Sequence, residues 1–228
     1  MLAARRSPSS DRASPDRSNA PAHARSHSRG DRACGSTDQS GGASRADAGA
    51  FRGTQGLLFF GALWDEAGSN ADSVRLFIER VLPRVLQRID VRLRIAGSGS
   101  DRAVWLASIA GANVDIEGSI AYVAALFGRV RVFVAPTRYG AGIPVKVVDA
   151  VRHGVPVVAT SLLAEQLGWQ HGRELLVADD AEAMAQACVA LHQDERLWER
   201  QRSAALEALK RDFNPMAFDA AVARVAWP

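Results

Sequence analysis

From Phe51 onward, short apolar runs alternate with segments in which apolar residues recur every three or four positions. This alternation is typical of strands and helices that follow one another around a parallel sheet. Several runs are almost continuously apolar, as expected for strands that helices cover on both faces. The pattern predicts six strands, at 57–60, 91–96, 113–116, 131–135, 155–159 and 174–177.

The segments between these runs predict helices. The first has an apolar stripe from Val74 to Val85, and Pro83 should bend or end it because proline breaks the hydrogen-bond ladder of a helix. The other predicted helices begin near Asp101, Ala121 and Lys146 and at the N-capping residues Asp180 and Asp194. The order predicts an α/β fold with a single doubly wound, Rossmann-like parallel sheet. Ligands of such sheets bind at the carboxyl ends of the strands.

Residues 1–50 have a different composition, rich in Arg, Ser, Ala, Asp, Gly and Pro. Apart from alanine, their only apolar residues are Met1, Leu2 and Cys34. So little apolar surface cannot offset the conformational entropy of ordering the chain. We therefore predict a disordered tail over 1–52 and one folded domain over 53–228.

The tail carries the whole formal charge of +3, and three interpretations of it compete. Its aspartates disagree with a transit peptide, and it lacks the apolar core of a secretory signal. Its arginines could contact nucleic acid or anionic lipid, but no aromatic residue accompanies them. A solvated linker, or an incorrectly assigned start of the reading frame, is the favoured interpretation, and we expect no nucleic-acid partner.

Several functional classes are excluded by simple patterns. No run approaches the roughly 18 apolar residues of a membrane-spanning helix, so no transmembrane segment is predicted. Two cysteines, Cys34 and Cys188, cannot build a disulfide framework or a four-cysteine zinc site. The five histidines lack metal-binding spacing, and no phosphate-binding GxxxxGK[ST] motif occurs. We expect a cytoplasmic protein without a metal, with peripheral membrane attachment as the alternative location.

Glycines follow the predicted strands, where ligands of this fold bind. Gly61 follows the first strand, and Gly97 and Gly99 follow the second. The latter pair resembles the start of a dinucleotide fingerprint, but Arg102 stands at its sixth position, so a tight turn into a helix is an equal alternative.

The run 134–150 is the most informative segment. A strand ends at Pro136, a Gly140-Ala141-Gly142 loop leads into a helix, and Lys146 and Asp149 lie one turn apart. Backbone N–H groups at a helix start attract anions, so these residues predict an anion-binding loop. A solvated position on a surface helix is the alternative for Asp149.

Residues 56–218 resemble the C-terminal, donor-binding domain of a GT-B glycosyltransferase of the retaining group 1, or family 4-like, type. The resemblance depends on the order of several pieces: 57–61, 70–72, 81–83, 93–99, 136–150, 154–160 and 172–174. It implies transfer of a sugar from a nucleotide-diphosphate donor, without a cofactor.

The resemblance also implies roles for single residues. Asp149 corresponds to the carboxylate that binds the ribose, the loop 140–142 faces the sugar and phosphates, and the backbone at Ile120 contacts the base. Lys146 is the best candidate for neutralising phosphate. The complete predicted donor-binding set is Gly61, Gly97, Gly99, Ile120, Arg138, Gly140, Ala141, Gly142, Lys146 and Asp149.

The chain also departs from the family pattern. Ala141 stands where the first of two paired glutamates is usual, and the Arg and Lys expected after the first strand are missing. Only the donor half is recognisable, so a separate domain or chain would bind the acceptor, and no catalytic residue can be named. The alternatives are a non-catalytic nucleotide-sugar-binding module and an inactive fragment of a longer glycosyltransferase.

Overall fold

The computed structural model describes residues 51–213. Residues 1–50 of the predicted tail and residues 214–228 of the predicted domain lie outside this range. The six strands are β1 (Leu57–Phe60), β2 (Leu93–Ala96), β3 (Val114–Gly118), β4 (Val132–Ala135), β5 (Val157–Ala159) and β6 (Leu176–Val177). They form one sheet in the order β3-β2-β1-β4-β5-β6, and every neighbouring pair is parallel. The predicted doubly wound α/β sheet is confirmed.

The helices are α1 (Ser69–Leu76), α2 (Leu82–Leu86), α3 (Val104–Ile109), α4 (Val123–Phe127), α5 (Val145–Arg152), α6 (Ser161–Leu167), α7 (Ala181–Gln193) and α8 (Glu195–Asp212). A π-helical turn, Phe77–Val81, joins α1 to α2, and Pro83 is the second residue of α2. The wider turn accommodates a residue that cannot donate to the ladder, so the interruption predicted at Pro83 is present. None of the described helices is long and apolar enough to cross a membrane.

Two apolar cores, one on each face of the sheet, hold these layers together. Helices α1, α2, α3 and α7 pack on one face, and α4, α5, α6 and α8 pack on the other. Successive strand residues serve opposite faces: Leu57 and Phe59 belong to the first core, and Leu58 belongs to the second. Both faces are buried, which explains why these strands are apolar throughout rather than alternating.

The ends of several elements differ from the prediction. The helix expected near Asp101 begins at Val104, after a 3₁₀ turn over Ser100–Arg102. Strand β6 starts at Leu176 because Glu174 turns its buried carboxylate back to the amide of Gln170, 2.9 Å away. Helix α6 was not predicted at all. Asp180 and Asp194 cap α7 and α8 as predicted, since the carboxylate of Asp180 accepts two amide N–H groups of the first turn and that of Asp194 accepts one.

The boundary of the predicted tail also needs correction. Phe51 and Arg52, assigned to the tail, form a 3₁₀ turn, Phe51–Gly53, at the edge of the folded part. The ring of Phe51 meets the buried Trp198 edge-on at 5.9 Å, and the Arg131 guanidinium lies 3.9 Å from its centre. Arg131 also donates to the carbonyl of Phe51. An aromatic side chain with these contacts belongs to the domain.

Gly97 lies where the loop after β2 crosses the loop after β1. Its φ is +127°, and a Cβ built on it would lie 2.2 Å from the carbonyl oxygen of Gly61. That neighbour is backbone and cannot rotate away.

We expect Gly97→Ala to lower the free energy of unfolding by roughly 2–5 kcal/mol, since left-handed strain and a backbone clash combine. Gly168→Ala is the matched control, because Gly168 has φ +67° with open space around it. Strain alone should cost that variant about 1–2 kcal/mol. Urea denaturation of the three proteins measures both losses. Equal losses would show that the Gly97–Gly61 contact does not constrain the loops.

Candidate functional site

A cleft opens between the loops that follow β1 and β4. These two strands are neighbours, but their following helices α1 and α5 lie on opposite faces of the sheet. The cleft has a volume of about 270 Å³. It is lined by Gly61, Ser69, Asn70, Thr137, Tyr139, Gly140, Ala141, Gly142, Ile143, Pro144, Val145, Lys146, Leu163 and Gln166. The cleft lies between β1 and β4, where the order in which strands are added to the sheet reverses. Doubly wound folds bind their ligands at this point.

Lys146 supplies the only charged side chain among these lining residues. Its Nζ donates to Asn70 Oδ1 and to Thr137 Oγ1, both at 2.8 Å, and lies 5.3 Å from the centre of the Phe59 ring. Burial lowers the pKa of Lys146 to about 8. Within residues 51–213 no carboxylate forms an ion pair with it. The ammonium group is thus held by neutral oxygens alone.

The loop 140–142 exposes its backbone beside this lysine. Gly140 has φ +147° and Gly142 has φ +89°, and a Cβ on either would meet no atom within 4 Å. No amide of residues 140–143 donates to another group of the described chain. Gln166 Nε2 donates to the carbonyl of Gly140 at 3.0 Å, which fixes one peptide plane of the loop. Free N–H groups of this kind, beside the start of α5, are the donors that anions use in other proteins.

Side-chain contacts tie the two loops of the cleft together. Tyr139 Oη donates to the carbonyl of Ala67 at 3.1 Å. The hydroxyls of Thr137 and Ser73 lie 3.3 Å apart, and Thr160 Oγ1 donates to the carbonyl of Thr137. These contacts connect α1 and the loop before it to the β4–α5 loop.

Asp149 lies on α5, three residues beyond Lys146 and hence on the same side of the helix. It is half-buried and does not line the cleft itself. Its carboxylate makes no ion pair or side-chain hydrogen bond with another described residue, and its backbone carbonyl lies 2.8 Å from His153 Nδ1. The carboxylate of Asp149 is thus not engaged by another side chain of residues 51–213.

Besides Asp149, four predicted residues do not line the cleft, and three of these follow β2 and β3. Gly97 packs on Gly61, and the Cβ of any residue at 99 would lie 2.8 Å from the Trp64 ring. These glycines thus serve the tight turn that was the alternative interpretation. Ile120 follows β3 and packs against the second core. The strand that it follows, β3, is two strands away from β1 in the sheet.

Arg138 is the predicted donor-binding residue with the clearest different partner. Its guanidinium binds the carboxylate of Asp72 through Nε and Nη2, with Nε at 3.0 Å, and this contact raises the pKa of Arg138. It lines a separate cleft of about 400 Å³ beside Arg75 and Arg84. Five of the ten predicted residues do line the first cleft, namely Gly61, Gly140, Ala141, Gly142 and Lys146.

The sequence did not identify three residues of the site. Thr137 and Asn70 occur in segments that carried the family resemblance, but nothing in the sequence shows that both contact Lys146. Gln166 lies on the unpredicted helix α6 and has no local signal. Among the described residues, no three His, Cys, Asp or Glu side chains converge as metal ligands would.

Two curated relatives each match more than half of the chain. A phosphatidyl-myo-inositol mannosyltransferase of Mycobacterium leprae is 34% identical over 138 residues, which is 57% of this chain and 36% of the relative. A 44.6 kDa protein of the cps region of Klebsiella pneumoniae is 28% identical over 132 residues, covering 54% of this chain and 34% of the relative. The chain thus spans about a third of the length of the curated relatives it matches.

Solved structures share the fold at low identity. Anabaena HepE in complex with UDP and glucose has a TM-score of 0.62 at 16% identity, over 77% of this chain and 49% of that one. A mutant of S. aureus TarM, in complex with fondaparinux, alpha-GlcNAc-glycerol and UDP, has a TM-score of 0.61 at 16% identity, over 73% and 34%.

The family assignment rests on a match over most of the folded part. The model of the family described as glycosyl transferases group 1 matches residues 54–194, which contain every strand and the whole cleft. This range is well over half of the chain. The chain therefore belongs to the glycosyl transferases of group 1.

Proposed function

We propose that this chain binds a nucleotide-diphosphate sugar and serves as the donor half of a glycosyltransferase. In this proposal a second domain or chain binds the acceptor and supplies the base. The Mycobacterium leprae relative is a mannosyltransferase, and two of the similar structures carry UDP, which supports this class of donor.

The partly buried ammonium group of Lys146, which forms no ion pair with a described residue, is the observation that carries the proposal. Buried charges in proteins are normally paired, because the loss of hydration is costly. Asn70 and Thr137 satisfy hydrogen bonds but contribute no negative charge. An anionic ligand would supply the missing charge, and the cleft gives it access.

The loop 140–142 extends this anion site. Its unpaired amides and the N-terminus of α5 present partial positive charge beside Lys146. A diphosphate offers enough oxygens for both the lysine and the amides. Asp149, one turn further along α5, would accept hydrogen bonds from the ribose hydroxyls.

The same groups suit the chemistry of transfer. The bond between the anomeric carbon and the β-phosphate oxygen breaks, and the leaving nucleoside diphosphate gains one negative charge. A bond then forms from the anomeric carbon to an acceptor oxygen, whose proton passes to a base in the acceptor half. Lys146 and the loop amides would stabilise the charge that develops on the leaving group.

Nucleotide binding tests this proposal directly. We expect calorimetric titration with UDP, GDP, ADP and dTDP to show binding of at least one. Asp149→Asn should weaken that binding about 10- to 100-fold, because hydrogen bonds to a charged group are lost. Lys146→Met should weaken it at least as much.

Asp90→Asn is the matched control, since Asp90 is exposed in the segment before β2, at the opposite end of the sheet. It should bind like the wild type. Binding of none of the four nucleotides would overturn the proposed function. Binding that Asp149→Asn leaves unchanged would remove Asp149 from the site.

The charge of Lys146 also predicts how stability depends on pH. Its pKa is lowered from 10.5 to about 8 on folding, so between these values the unfolded chain binds more protons than the folded one. The free energy of unfolding should therefore rise with pH between about 8 and 10.5 because of Lys146. Relative to Lys146→Met, the wild type should gain about 3 kcal/mol between pH 7 and pH 11.

Urea denaturation of both proteins across this pH range measures the gain. Lys210, the other lysine of the chain, is exposed near the end of α8. Lys210→Met should therefore run parallel to the wild type. A wild-type curve that runs parallel to Lys146→Met would show that Lys146 is not charged at a buried position.

A further inference from the structure

The ammonium group of Lys146 has a fixed orientation. It carries three N–H donors. Two of them are directed to Asn70 Oδ1 and Thr137 Oγ1, each at 2.8 Å. No hydrogen bond to a described residue uses the third donor, and Lys146 lines the cleft. A lysine held in this way delivers one hydrogen bond to a ligand at a defined point.

The orientation of Asn70 is itself determined by the loop after β1. Its Nδ2 donates to the carbonyl of Ala62 at 3.0 Å, which leaves Oδ1 for the lysine. Gly61 makes room for this arrangement, because a Cβ at 61 would approach Asn70 Nδ2 to 3.0 Å. Asn70 thus links the β1–α1 loop to a cation on α5.

The neutrality of Asn70 matters as much as its geometry. A carboxylate at this position would reach the same ammonium and cancel its charge. The acid closest in sequence, Asp72, is bound by Arg138 in the other cleft. The contacts of α1 therefore hold Lys146 firmly without neutralising it.

We infer that Asn70 is a positioning residue for the phosphate site: it orients Lys146 through a neutral oxygen, so that one N–H and the full positive charge remain for the ligand. This inference rests on the proposed function. It assigns to Asn70 a role in phosphate recognition, and no direct contact with the sugar or base.

Asn70→Asp tests the inference with a side chain of the same shape. The new carboxylate would pair with Lys146, so affinity for the phosphates should fall while the fold remains. For each of UDP, GDP, ADP and dTDP that the wild type binds, we expect the dissociation constant to rise 10- to 100-fold. Affinity for the corresponding nucleoside, which lacks phosphate, should change by less than about twofold.

Asn113→Asp is the matched control. Asn113 Nδ2 also donates to a backbone carbonyl, that of Val91, but next to the amino end of β3. The substitution changes the net charge of the chain by the same amount as Asn70→Asp. Because Asn113 does not line the cleft, the affinities should remain unchanged. Thermal unfolding of both variants verifies that they fold.

The outcomes separate this inference from the proposed function. Diphosphate binding that Asn70→Asp leaves within twofold of the wild type would overturn the inference while the proposed function stands. Equal losses for diphosphate and nucleoside would also overturn it, because they would indicate a general distortion of the cleft. Absence of any nucleotide binding by the wild type would overturn both.

Discussion

The reversal of winding between β1 and β4 is the constraint on which the site depends. Right-handed crossovers send α1 to one face of the sheet and α5 to the other, so the two loops separate as they leave neighbouring strands. A cleft must open there, whatever the side chains. The residues of this chain then determine what the cleft can hold, and they provide one cation, several free amides and an apolar rim.

Backbone packing beneath the cleft makes that geometry rigid. Gly97 lets the loop after β2 lie directly on Gly61, and Gly61 in turn makes room for Asn70. Asn70 contacts Lys146 across the cleft. Gly97, Gly61 and Asn70 thus form a chain of contacts from the loop after β2 to the ammonium group of Lys146. A glycine that resembled part of a nucleotide fingerprint acts here through packing rather than through a ligand.

The sequence predicted the sheet well, because apolar runs buried on both faces leave a strong local signal. It also placed the glycine loop and Lys146 together, since Gly140, Gly142 and Lys146 lie within one short segment that lines the cleft. Arg138 lies in the same segment, yet its partner Asp72 is on another element, and only the folded chain shows that pairing. Asn70 and Gln166 were missed for the same reason: their roles depend on contacts between residues far apart in sequence.

The Arg and Lys that the family usually has after the first strand are absent from this chain, and Asn70 is relevant to that difference. Asn70 occupies that region and makes a hydrogen bond to the lysine of α5, so the cation is delivered from the opposite side of the cleft. A single lysine there provides one full charge, while the leaving group of the proposed reaction gains a charge as the bond breaks. The loop amides and the N-terminus of α5 would have to stabilise the remainder, and fixed dipoles do this without reorganising. The rigid ties of Thr137, Tyr139 and Gln166 to neighbouring elements are the contacts that hold those dipoles in place.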